Sequence, residues 1–140
     1  MVPDKLLAEL IALPSVNPAF LPARDERGGE WRVTDFLSAL GAQAGLPVEY
    51  QEVFPGANGA KARRNLIVRW SPPSEPKQRI ILAPHFDTVG SVDMPKAHFQ
   101  PRRIGGKMHG RGACDTKGSV AAMFSALLNV VKKGPSPRKT

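Results

Sequence analysis

Apolar positions recur with a helical period in three segments and run uninterrupted in a fourth. Pro3 and Asp4 open the first, where Leu6, Leu7, Leu10 and Ile11 fall on one side of a helix that Pro14 ends. From about Glu30 to Ala44, the positions Val33, Phe36, Leu37 and Leu40 follow the i, i+3, i+4, i+7 spacing, with Gly45 placed to cap the end. A third stripe, Val120, Phe124, Leu127, Leu128 and Val131, predicts a helix from about Thr116 to Lys133, followed by Gly134 and Pro135. Val48 to Val53 and Asn65 to Trp70 suit strands, and Pro55 to Ala60 is a loop with Gly56 and Asn58-Gly59 as turn formers. In the stretch Arg79 to Val89, Ile80, Ile81 and Leu82 have no polar alternation, which predicts a short strand covered on both faces. The brief link from Trp70 to Arg79 predicts that this strand pairs antiparallel with Asn65–Trp70. Gly90 to Gly106 reads as irregular. The predicted class is α/β, a mixed sheet flanked by helices.

A chain of 140 residues is one domain by size, and 41% apolar with 23% charged residues is ordinary for a globular protein. The net charge of +8 is uneven. Residues 1–60 carry eight acids and four Lys or Arg, a balance of −4, and residues 61–140 carry four acids and sixteen Lys or Arg, a balance of +12. No basic run exceeds two residues, so the excess reads as scattered surface solvation and no nucleic-acid partner is expected. The competing reading, a basic nucleic-acid-binding module in residues 61–140, predicts steep salt dependence. A single cysteine, Cys114, excludes an internal disulfide, and no apolar run approaches a membrane span. The expected compartment is cytoplasmic, with no membrane partner.

The apolar stretch ends in His85-Phe86-Asp87. If the backbone stays extended there, His85 and Asp87 project to the same side, and the carboxylate can sit beside the ring. That suits a metal-binding histidine whose second ring nitrogen needs an acceptor. Downstream, Gly110-Arg111-Gly112-Ala113-Cys114-Asp115 leads into the third helix. It is not a dinucleotide fingerprint, because Asp115 stands where the third glycine belongs, and Lys117-Gly118-Ser119 has the wrong order for a P-loop. Asp115 or Thr116 could simply cap the helix. Alternatively, the sheet-and-helix layout brings Asp115 to the same rim as His85, and a histidine with a carboxylate is an ordinary zinc ligand set.

Two motifs resemble the dizinc aminoacylase, acetylornithine deacetylase, succinyl-diaminopimelate desuccinylase and glutamate carboxypeptidase group, peptidase family M20. One is His85-Phe86-Asp87-Thr88-Val89, matching His-x-Asp-x-Val after a strand. The other is Gly110 to Gly118, matching Gly-Arg-Gly-x-x-Asp-x-Lys-Gly. The resemblance runs from the Pro14-Ser15-Val16-Asn17-Pro18 turn to the helix after Lys117. It implies that His85 holds one zinc, that Asp115 bridges two, with cobalt able to substitute, and that Asp87 orients the His85 ring in catalysis. The implied reaction is hydrolysis of an N-acyl amino acid or small peptide. The family's adjacent Glu-Glu pair and its later acid and histidine ligands have no counterpart, since no acid follows Asp115. Residues 1–140 are thus expected to be the N-terminal part of the catalytic domain, without its remaining half or the smaller inserted domain. A truncated, non-catalytic remnant with a weak metal site is the alternative, and core left exposed predicts homo-oligomers or aggregation. His98 and His109 read as solvated rather than as substitute ligands, Cys114 as packed, Asp25-Glu26 as a surface pair, and Arg111 and Lys117 as supports for the loop and helix start.

Overall fold

The computed structural model describes residues 2–55, 62–76 and 78–134. Helix α1 spans Pro3–Ala12, α2 spans Trp31–Gln43 and α3 spans Gly118–Lys133. All three lie where the apolar periodicity puts them, and they bury it against each other. Leu6 and Leu10 of α1, Val33 and Leu37 of α2, and Val120, Ala121 and Phe124 of α3 form one cluster. Full burial of such side chains contributes roughly 1.5–3 kcal/mol each, before the entropy of ordering them is subtracted.

Strands β1 (Val48–Phe54) and β2 (Arg63–Val68) form an antiparallel pair, from Val48 opposite Val68 to Phe54 opposite Arg63, with a bulge between Glu52 and Phe54. Leu66 and Val68 close the helical core from the sheet side. The expected turn at Gly56 to Ala60, the end of the chain from Pro135, and Lys77 lie outside the described residues.

The strand expected at Arg79–Leu82 does not form. Residues 78–87 belong to no strand, and Ile80, Ile81 and Leu82 are 86%, 81% and 55% exposed. A strand buried on both faces needs a hydrogen-bonded neighbour and a packed layer on each side. Its expected neighbour, β2, pairs with β1 instead, and the helices pack on one another and on that pair.

The region from Gly90 is less irregular than its prolines suggest. Lys96–Phe99 is a 3₁₀ turn, and β3 (Arg102–Ile104) pairs with β4 (Lys107–His109) across Gly105-Gly106. Both glycines have positive φ, 56° and 76°, as a two-residue hairpin turn demands. Phe99 and Met94 pack with Val16 in a second, smaller cluster. The α/β class stands, as helices packed with two small antiparallel sheets. Among the described residues no helix is long and apolar enough to cross a membrane.

Candidate metal centre

With no sheet to hold it, the His85-Phe86-Asp87 segment takes its position from the turn after α1. The Thr88 amide donates to the Ser15 carbonyl at 2.9 Å and the Asn17 amide to the Thr88 carbonyl at 2.9 Å, giving a parallel bridge between Val16 and Thr88. Two side chains add to it. Ser15 Oγ donates to the Phe86 carbonyl at 2.7 Å, and Asn17 Nδ2 donates to Asp87 Oδ2 at 2.9 Å. Ser15, Val16 and Thr88 are buried, so these bonds face little competition from water.

Asp87 thereby has one oxygen committed to Asn17. Its other oxygen, Oδ1, lies 3.1 Å from His85 Nδ1, and its backbone carbonyl lies 3.2 Å from the same nitrogen. Both are acceptors, so Nδ1 carries the proton and the neutral ring presents a lone pair at Nε2. That lone pair meets Asp115 Oδ1 at 3.0 Å. Two acceptors at this distance repel unless a proton or a cation lies between them. Burial works to lower the His85 pKa, but the Asp115 and Asp87 acceptors outweigh it and raise it above the usual 6.5.

Asp115 sits on a wide turn, Ala113–Lys117, just before α3, and its side chain is 84% exposed. The turn is fixed from below by Lys117. That side chain is fully buried, and its Nζ donates to the Leu10 and Leu13 carbonyls at 2.8 and 2.7 Å. These carbonyls lie at the C-terminal end of α1, where a helix has unpaired acceptors and a partial negative charge. Burial pushes Lys117 down to about 7. Gly112 completes the join. It has φ of 81°, and a Cβ there would lie 2.8 Å from Thr88 Cγ2, so only glycine lets the Asp115 loop close on the residue that anchors Asp87.

The residues fit a metal ion in part. A neutral imidazole nitrogen, oriented through its other nitrogen by a carboxylate, faces a second carboxylate at about the spacing that neighbouring ligands of one ion keep. A cation between Nε2 and Asp115 would relieve the opposition of the two acceptors. Among the described residues, however, no group of three or more His, Cys, Asp or Glu side chains gathers into a metal cluster. An open cavity of about 210 Å³ lies beside Asp115, lined by Thr88, Val89 and the loop from Gly110.

The remaining candidates are elsewhere. His109 is on β4 and exposed, and His98 is on the Lys96–Phe99 turn with Nδ1 buried and without a partner among the described residues. Asp25 pairs with Arg27 at 2.7 Å, and exposed Glu26 lies 3.5 Å from Lys96. Cys114 is exposed, which overturns its reading as a packed residue: the turn that presents Asp115 carries its neighbour outward too. Lys117 supports the helix start as expected. Ser15 and Asn17 are the residues sequence reasoning missed. Their signal was two hydrogen-bonding side chains flanking apolar Val16 in the turn after α1.

Residues 81–140 match the model of peptidase family M20/M25/M40. The chain is 33% identical over 123 residues to a peptidase M20 domain-containing protein of Schizosaccharomyces pombe, covering 87% of this chain and 28% of that relative. It is 31% identical over 139 residues to a succinyl-diaminopimelate desuccinylase of Variovorax paradoxus, covering 97% and 32%. To the succinyl-diaminopimelate desuccinylase of Shewanella pealeana it is 35% identical over 133 residues, covering 93% and 30%. The chain thus spans about three-tenths of the length of these relatives.

Proposed function

The chain belongs to peptidase family M20/M25/M40, whose members are metal-dependent hydrolases, and from that premise we propose that it forms one side of a metal-dependent amide-hydrolysing site. His85 and Asp115 are the metal ligands in this reading, and Asp87 is the acid that orients His85. Residues 1–140 act as the N-terminal part of the catalytic domain. The substrate class is small N-acyl amino acids or peptides, in keeping with the names of the desuccinylase relatives. The metal is zinc, two ions per complete site, with cobalt as a substitute, and the compartment is cytoplasmic. One observation carries the reading: His85 Nε2 opposes Asp115 Oδ1 at 3.0 Å while Asp87 accepts from Nδ1.

Each residue has a defined task. Asp87, held by Asn17, fixes the tautomer and the plane of His85. Asp115, projected from the turn that Lys117 anchors, offers a carboxylate with Oδ1 facing His85 and the side chain otherwise exposed to metal or water. The bound metal supplies polarisation of the scissile carbonyl and a water molecule of lowered pKa. Protons compete for His85, so metal affinity falls as pH drops through the raised His85 pKa.

A second reading is favoured by the absence of a three-donor group among the described residues. In it this chain alone binds metal weakly and turns over nothing. Hydrolysis of N-acyl amino acids and dipeptides by the purified chain, with zinc or cobalt supplied, separates the two. Turnover abolished by His85→Ala or Asp115→Ala establishes catalysis by this chain, and metal binding without turnover establishes the second reading.

A further inference from the structure

A second open cavity, of about 280 Å³, is lined by Ala97, His98, Arg102, Gly110 and Arg111, and shares Gly110 and Arg111 with the cavity beside Asp115. Its two arginines differ from most of those packed elsewhere in the fold. Arg27, Arg63, Arg64, Arg69 and Arg103 each hold a carboxylate, with Arg103 on Asp4 at 3.1 Å. Arg102 and Arg111 hold none among the described residues, and no acid lines the cavity. Two polar atoms in its wall are also unsatisfied. Arg111 Nε and His98 Nδ1 are both buried and have no hydrogen-bond partner among the described residues. Buried donors are ordinarily paired, because leaving one without a partner costs about 1–3 kcal/mol.

The backbone gives these groups a fixed frame. The Arg111 amide donates to the His98 carbonyl at 2.6 Å, tying the 3₁₀ turn to the loop after β4, and Arg102 lies opposite His109 in the β3–β4 ladder. Arg102 is exposed, whereas the two unsatisfied nitrogens are buried. Planar guanidinium groups bind tetrahedral and carboxylate oxyanions through paired N–H donors. Two guanidinium charges with no carboxylate to balance them match a dianion better than a monoanion.

We infer that the cavity framed by His98, Arg102 and Arg111 binds a compact doubly charged oxyanion of the phosphate type. Neither His85 nor Asp115 lines this cavity, and the inference stands whether or not those residues hold metal.

Histidine-ring NMR tests it on the full chain, since His85, His98 and His109 report on different places. Inorganic phosphate at constant ionic strength shifts the His98 ring saturably and leaves His85 in place. Arg102→Gln, at an exposed position that folding tolerates, weakens this binding about tenfold or more, and Arg102→Lys restores part of it. Acetate at the same concentrations shifts His98 far less. Absence of a saturable His98 shift, an equal shift from acetate, or an unchanged affinity in Arg102→Gln overturns the inference.

Discussion

The two halves of the candidate centre are carried by apolar segments that meet opposite fates. Val120, Ala121 and Phe124, which follow Asp115, are buried in the helical core, whereas Ile80, Ile81 and Leu82, which precede His85, stand in solvent. Hydrophobicity alone does not distinguish them. A helix satisfies its own backbone and needs partners only along one face, and α1 and α2 supply that cover. A buried strand depends on neighbours at both edges. His85 nevertheless faces Asp115, because Ser15 and Asn17 hold residues 86–88 from the other side. The site is therefore organised by tethers to the turn after α1 rather than by a sheet.

Substitutions on the two sides should differ accordingly. The largest loss is expected on the Asp115 side: Lys117→Ala removes the Nζ donor from two helix-end carbonyls, leaving that of Leu10 only the Leu13 amide, and opens a cavity, costing about 3 kcal/mol or more in urea unfolding. Phe124→Ala should cost about 3 kcal/mol by the same measurement. On the other side, Ile81→Lys should change stability by only about 0.5 kcal/mol, since the side chain is already 81% exposed. The same variant should reduce self-association in sedimentation velocity, as expected of an exposed apolar patch. A destabilisation by Ile81→Lys that matched Phe124→Ala would erase the contrast.

Asn17→Ala sharpens the tether. It frees Asp87 Oδ2 and should weaken zinc binding about tenfold by calorimetry, with about 1 kcal/mol lost from stability. The smallest effect is electrostatic. Hydrogen bonds from Arg27 hold the Asp25 carboxyl down to about 2, against 3.8 ordinarily, and Arg27 also reaches the Val92 and Met94 carbonyls. A depressed folded-state pKa stabilises above about pH 4, and this contribution disappears as pH falls through about 2. Asp25→Asn should remove that part of the acid-unfolding curve.

Much of this was legible in the sequence. The three helices follow from their periodicity because each buries one local stripe, and β1 follows from its own residues. The site motifs were legible through spacing: His85 and Asp87 at i and i+2, and Gly112 where the Asp115 loop closes on Thr88. Ile80–Leu82 misled because a run of apolar residues says that cover is needed, not that it is present. The β3–β4 hairpin was overlooked although Gly105-Gly106 marks its turn, the flanking strands being only three residues each. Lys117 was read correctly as a support, but its complete burial depends on carbonyls from α1, more than a hundred residues away in sequence.

The most direct measurement is calorimetric zinc binding to the full chain, compared with His85→Ala and Asp115→Ala at equal folded content judged by circular dichroism. Zinc should bind the native chain, weaken as pH is lowered through the His85 titration, and lose at least about tenfold in affinity in each variant. Equal zinc affinity in all three proteins would contradict the assignment of His85 and Asp115 as a shared metal centre.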